Sequence, residues 1–324
     1  MPEPRESAKS RLLWSIAGIG LIGAGVLLLL SGPRTISASA LIPYQPDLAN
    51  GEVMFNAGGC ASCHAAPAKG KACDDPKSGN RLDLAGGRCL RTGFGTFYAP
   101  NISPDRESGI GSWSELDFVT AMLRGVSPSG EHYYPAFPYT SYQRMPLEDV
   151  RDLKAYLDTL PAVRSKRTEH ELSFPYSIRW GLGFWKLLYL DGETFAPDPA
   201  KSDEVNRGAY LVEGPGHCAE CHTPRDSFGG LIADRSLAGA PAPEGKGRTP
   251  NLTPHKSGLA DWSLLDIAYA LKSGFTPEFD VLGSTMAKVQ ENMARLGDAD
   301  RRAIAAYLKS VPAIESRKRE TPPQ

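Results

Sequence analysis

One motif occurs twice in this 324-residue chain and limits its fold more than any other feature. Cys60-Ala61-Ser62-Cys63-His64 follows Gly51-Glu52-Val53-Met54-Phe55, and Cys218-Ala219-Glu220-Cys221-His222 follows Gly208-Ala209-Tyr210-Leu211-Val212 in the same way. Further on, Pro100-Asn101-Ile102-Ser103-Pro104 pairs with Pro250-Asn251-Leu252-Thr253-Pro254, Trp113-Ser114 with Trp262-Ser263, Gly125 with Gly274, and Ala155-Tyr156-Leu157 with Ala306-Tyr307-Leu308. A shared order at a nearly constant offset marks two homologous modules.

Each module reads as three helices joined by long loops. The first helix ends in the CxxCH. The second starts at Ser112, at capping-box spacing from Glu115, carries Leu116, Val119, Met122 and Leu123 at helical intervals, and stops at Gly125. Its counterpart runs from Asp261 through Leu265, Ala268 and Leu271 to Gly274. The third follows Pro146 with Val150, Leu153, Tyr156, Leu157 and Leu160, and its twin follows Asp298 with Ile304, Tyr307, Leu308 and Val311. With 33 glycines and 27 prolines, much of the chain is loop, and three short helices leave each module few apolar side chains for a core. Something else has to fill the middle.

A CxxCH attaches c-type haem: both thiols bond the porphyrin, and the adjacent histidine ligates iron. A lone CxxC is equally a zinc ligand pair or a redox dithiol. Here both copies carry the histidine and sit at matching places in a repeat. The sequence therefore predicts two covalently bound haem c, on Cys60 and Cys63 and on Cys218 and Cys221, with His64 and His222 on the irons. A distal methionine saturates the iron and raises its potential, as suits an electron carrier. Met286, after the Gly283-Ser284-Thr285 loop, is the expected ligand in the second module, with Met293 as gap-filling core. In the first module the candidates are Met145, just ahead of a helix, and His132 in the aromatic loop from His132 to Tyr139, with Met122 on an apolar helix face. Met145 is preferred. Cys73 and Cys89 flank a polar loop and form a candidate disulfide, which closes a loop worth ~3 kcal/mol on chain entropy. His170, His217 and His255 read as linker or loop residues, and His217 receives no role.

The N-terminus bears on compartment. Residues 12 to 33 carry no charge, and the apolar run Leu12 to Leu30 approaches the ~20 residues that cross a bilayer. Arg5, Lys9 and Arg11 precede it, so the expectation is a cytoplasmic N-terminus and an exported body. Ala38-Ser39-Ala40 resembles a cleavage site, so a signal peptide is the alternative to an uncleaved anchor. A formal net charge of −1 gives no electrostatic reason for nucleic-acid binding. The aromatic stretch from Phe174 to Leu190 contains Arg179 and Lys186 and reads as a linker packed on protein.

The segments Gly93-Phe94-Gly95-Thr96-Phe97-Tyr98-Ala99-Pro100-Asn101-Ile102-Ser103-Pro104, Tyr134-Pro135-Ala136-Phe137-Pro138-Tyr139 and Cys221-His222-Thr223-Pro224-Arg225 make roughly residues 45 to 312 resemble class I-type dihaem and trihaem cytochromes c. The similarity extends to the membrane-anchored cytochrome subunits of bacterial alcohol, aldehyde and gluconate dehydrogenases. The resemblance implies an all-α fold of two tandem class I cytochrome c domains behind an N-terminal transmembrane helix. The expected division is an anchor over 1–34, a tether over 35–47, domains over 48–165 and 205–313 with a linker over 166–204 between them, and a polar tail over 314–324. Two departures stand out. Those subunits typically carry three haems, and their loop often reads Tyr-Pro-Ala-Met-Pro-Tyr where this chain has Phe137. The implied function is a periplasm-facing relay in the bacterial inner membrane, without a substrate site of its own. It would take electrons from a dehydrogenase and pass them to a quinone, cytochrome or oxidase. A dihaem peroxidase or sulfur-compound oxidoreductase, with one open or unusually ligated haem, is the alternative.

Overall fold

Each CxxCH forms its own short turn just after a helix that is pressed against the last helix of its module, and two glycines make that approach possible. The computed structural model of the chain describes residues 8–67, 79–243 and 247–316. In chain order the elements are α1 (Ala8–Leu30), α2 (Leu48–Ala57), α3 (Cys60–His64), β1 (Cys89–Thr92), β2 (Gly95–Tyr98), α4 (Glu115–Arg124), α5 (Tyr139–Tyr142), α6 (Leu147–Asp158), β3 (Glu171–Leu172), α7 (Leu182–Tyr189), α8 (Asp203–Glu213), α9 (Ala219–His222), β4 (Ala240–Pro241), β5 (Arg248–Thr249), α10 (Leu264–Ser273), α11 (Thr285–Met293) and α12 (Asp298–Ser310). In the first module α2 packs on α6, and in the second α8 packs on α12. A Cβ on Gly51 would lie 2.2 Å from the Asp152 carbonyl oxygen, and one on Gly208 would lie 1.9 Å from that of Ala303. Only glycine admits helix backbones this close. The core then runs through both modules, from Phe55, Val119 and Leu157 to Leu211, Ile304 and Leu308.

The central helices use the same device twice. Ser114 caps α4 and Ser263 caps α10, each in a capping box with the aspartate three residues on, Asp117 and Asp266. Both helices end on a left-handed glycine, Gly125 at φ 59° and Gly274 at φ 82°. The caps lie two residues beyond Ser112 and Asp261, where the sequence places the starts. In the first module a serine followed three residues later by an acid occurs twice, at Ser112 and Ser114, and periodicity does not choose between the two.

Two corrections concern the fold class. The chain is mostly helical yet holds small sheets: β1 and β2 form an antiparallel hairpin joined by β3 from the interdomain segment, and β4 pairs with β5. The hairpin turn is Thr92-Gly93-Phe94-Gly95, in which the Thr92 hydroxyl accepts the Phe94 N–H at 3.1 Å. The other correction is the N-terminal transmembrane helix, and with it the single inner-membrane span used to place the protein. The segment is helical as α1, but among the described residues no helix is long and apolar enough to cross a membrane. At the end of α1 the Ser31 carbonyl accepts from His132 Nε2 at 3.0 Å, which ties α1 to the first module.

The segment after the first module is held on both modules. The Lys186 ammonium is buried and donates to the Arg124 and Gly125 carbonyls, both at 2.7 Å, and it lies 4.6 Å from the centre of the Tyr139 ring. Trp185 Nε1 donates to the Phe228 carbonyl at 3.0 Å and the Tyr189 hydroxyl to Asp226 at 2.7 Å, both in the second module. Phe174 and Trp180 remain exposed.

Candidate functional site

The two CxxCH turns are built alike. A residue in the left-handed region precedes each first cysteine, Gly59 at φ 56° in one module and His217 at φ 39° in the other. That conformation costs a non-glycine residue roughly 1–2 kcal/mol. His217 is held in it by a hydrogen bond from Nε2 to the Gly58 carbonyl of the first module at 3.2 Å, and by its ring against Tyr142, centroids 5.7 Å apart. From there α3 and α9 wind through the motif, so that both cysteines and the histidine of each motif share about one turn. Burial pushes the Cys60 and Cys218 thiols up to about 12, with the second thiol of each motif adding to the rise.

The histidines are aimed in the same way. His64 Nδ1 donates to the Pro100 carbonyl at 2.8 Å, and His222 Nδ1 donates to the Pro250 carbonyl at 2.8 Å. This fixes the tautomer and leaves each Nε2 lone pair for iron. Burial lowers both imidazole pKa values, outweighing the proline carbonyls, so the neutral, ligating form is favoured. The proline loops are themselves pinned: Asn101 Nδ2 donates to the Val163 carbonyl at 2.7 Å and Asn251 Nδ2 to the Ile314 carbonyl at 2.7 Å. The repeated Pro-Asn-x-Ser/Thr-Pro segment thus orients the histidine of each CxxCH. Two thiols beside an aimed, neutral imidazole, repeated in both modules, are the donor set of a c-type haem. Among the described residues no group of three or more His, Cys, Asp or Glu side chains could hold a bare metal ion, which weighs against zinc.

The residues between the cysteines join the modules. Ser62 Oγ donates to the Lys288 carbonyl of α11 at 3.1 Å and accepts from Asn292 Nδ2 at 2.7 Å. Glu220 accepts from the hydroxyls of Thr140 at 2.9 Å and Ser141 at 3.4 Å, both in α5, and pairs with Arg225 at 2.5 Å. Each attachment turn therefore packs against the helix that follows the distal loop of the other module. The sequence gives no sign of this seam, because its partners are 79 to 230 residues apart.

The expected distal ligands fall in different surroundings. Met286 lies in the first turn of α11 and is partly exposed, with Met293 buried at the other end of the same helix. Met145 is 1% exposed inside the core, and Met122 is core as well. His132 is buried, with Nε2 on the Ser31 carbonyl and Nδ1 without a partner. Cys89 is disulfide-bonded, and Cys73 lies outside the described residues. His170 Nδ1 accepts the Tyr98 N–H at 3.2 Å, which ties the interdomain segment to β2.

A protein built from two such modules is a cytochrome, and comparison with known sequences agrees. The cytochrome c family model matches residues 48–161 and 205–312, and this chain belongs to that family. It is 50% identical over 298 residues to a protein named diheme cytochrome c-type from Cereibacter sphaeroides, covering 89% of this chain and 97% of that one. It is 36% identical over 273 residues to the fructose dehydrogenase cytochrome subunit of Gluconobacter japonicus, covering 83% of this chain and 54% of that one. Identity to the gluconate 2-dehydrogenase cytochrome c subunit of Pantoea cypripedii is 34% over 294 residues, 87% of this chain and 64% of that one. The chain thus spans nearly all of the first relative and about half to two thirds of the two dehydrogenase subunits. It is an electron-transfer cytochrome c.

Proposed function

We propose that the chain carries two covalent haem c groups and relays electrons from a dehydrogenase to a quinone, a cytochrome or an oxidase. The bound haems supply reversible one-electron chemistry at iron. The chain's own residues do the rest. Cys60 and Cys63 hold one group and Cys218 and Cys221 the other. Pro100 and Pro250 aim His64 and His222, and Met286 stands as the distal donor in the second module. The seam carries this reading. Ser62 and Glu220, each between the cysteines of one motif, bind the opposite module, so the two attachment turns are held in one rigid interface. Two redox centres held this way suit internal transfer. The dehydrogenase as donor is suggested by the relatives named as cytochrome subunits of such complexes.

The test is stoichiometry and transfer together. The pyridine haemochrome of purified protein is expected to report two haem c per chain, and Cys60→Ser/Cys63→Ser protein one. Mixed with a reduced dehydrogenase in stopped flow, the chain should show both haems reduced within one turnover. A single haem per chain, or reduction of only one, refutes the relay.

A further inference from the structure

The first module holds three methionines among the described residues, and each takes a place that a leucine holds in the second. Met54 follows Gly51 as Leu211 follows Gly208, and these are the glycines pressed against α6 and α12. Met122 precedes the capping Gly125 as Leu271 precedes the capping Gly274. Met145 precedes Pro146, the N-cap of α6, as Leu296 precedes Gly297, the N-cap of α12. Their turns match too: the Met145 N–H donates to the Tyr142 carbonyl at 2.9 Å and the Leu296 N–H to the Met293 carbonyl at 3.2 Å. Met54, Met122 and Met145 are 0%, 6% and 1% exposed. These are the surroundings of gap-filling apolar side chains.

Met286 has a different counterpart. The Gly125 carbonyl accepts from the Tyr133 N–H at 2.7 Å, and the Gly274 carbonyl accepts from the Leu282 N–H at 2.8 Å. Inside those loops Val126 bridges His132 as Phe275 bridges Val281. Counted forward from either shared anchor, the residue in the place of Met286 is Phe137. Its ring stands edge-on to Tyr133, Tyr139 and Tyr142, at 5.8, 6.3 and 5.6 Å between centroids. The remaining nearby donor, His132, commits Nε2 to the Ser31 carbonyl, and its Nδ1 is buried without a partner.

We propose that Phe137, and no methionine sulfur, bounds the distal side of the first haem, leaving its iron open to a small diatomic ligand within an aromatic wall. This rests on the reading of Met286 as the distal ligand of the second haem. The division of labour is then one saturated iron for electron carriage and one accessible iron.

The experiment titrates carbon monoxide into the reduced, haem-loaded full-length protein, with optical absorption and the ferric sulfur-to-iron charge-transfer band as readouts. One carbon monoxide per two haems, and a charge-transfer band of single-haem intensity, are expected. Met145→Leu, which installs the twin module's residue, should leave both unchanged. Phe137→Met should weaken uptake at least tenfold and double the band. Two haems per chain with no uptake overturns the inference and leaves the relay standing, whereas fewer than two haems removes both. Uptake that first appears in Met145→Leu protein makes Met145 the ligand and equally overturns it. Uptake that persists unchanged in folded Phe137→Met protein, with no added band, does the same.

Discussion

Truncating Glu220 to alanine tests whether the seam is an energetic coupling between modules. The carboxylate is 11% exposed and accepts the Thr140 hydroxyl at 2.9 Å, with Arg225 against its other oxygen at 2.5 Å. A hydrogen bond to a charged acceptor contributes about 1.5–3 kcal/mol. The Arg225 pair, with the arginine one-third exposed, adds less than a buried pair and more than the ~0–1 kcal/mol of a surface one. Glu220→Ala should therefore cost about 2–4 kcal/mol. The part belonging to the seam is isolated by a double-mutant cycle with Thr140→Ala, for which a coupling of about 1.5–3 kcal/mol is expected. The assay is urea unfolding of the haem-loaded protein, followed by Soret absorption for the haem sites and far-ultraviolet dichroism for the helices. Glu220→Gln keeps an acceptor for Thr140 but loses the charge, so it should retain about half of the coupling. A coupling below ~0.5 kcal/mol would show that the contact is incidental, and that the modules are positioned by apolar packing alone.

Further predictions concern packing, protons and ligation. Gly208→Ala places a methyl 1.9 Å from the Ala303 carbonyl and should destabilise the second module by about 1–3 kcal/mol or more, read by calorimetry against wild type. Burial lowers Lys186 from the usual 10.5 to about 7. Between those values the unfolded chain binds the extra proton, so this residue makes stability rise with pH above about 7 and contributes no slope below it. Lys186→Met should flatten that rise in urea midpoints measured from pH 7 to pH 10. His217→Gly relieves the positive φ but removes the bond to Gly58, and net destabilisation in urea identifies the bond as the larger effect. Met286→Leu should open the second haem, adding one equivalent of carbon monoxide; unchanged stoichiometry would remove Met286 as the ligand.

The CxxCH pair, the module repeat and the helices of each module are local facts, legible because short-range spacing carries them. Helical periodicity and capping chemistry act over three or four residues, so α4, α6, α10 and α12 lie close to where the pattern places them, with α4 and α10 offset by the choice between neighbouring caps. The Pro-Asn repeats were visible as well, although their task of orienting histidine needs the folded distance from Pro100 to His64. The β1–β2 hairpin was within reach too, since Gly93 and Gly95 flank its turn. β3 was not, because it pairs across the interdomain segment.

Tertiary structure alone decided the rest. Glu220 and His217 look ordinary in sequence because their partners, Thr140 and Gly58, belong to the other module. Met145 lies just before a helix, and only the fold shows that it is buried in the core, as Leu296 is in the twin. The apolar composition of residues 12–30 suggests a span, but among the described residues no helix is long and apolar enough to cross a membrane. By itself the sequence determined the donor set, two thiols and a histidine on a turn, because that spacing lies along one stretch of chain. Which residue meets each iron, and how the two attachment turns are held together, depends on contacts between distant segments, and only the fold brings those segments side by side.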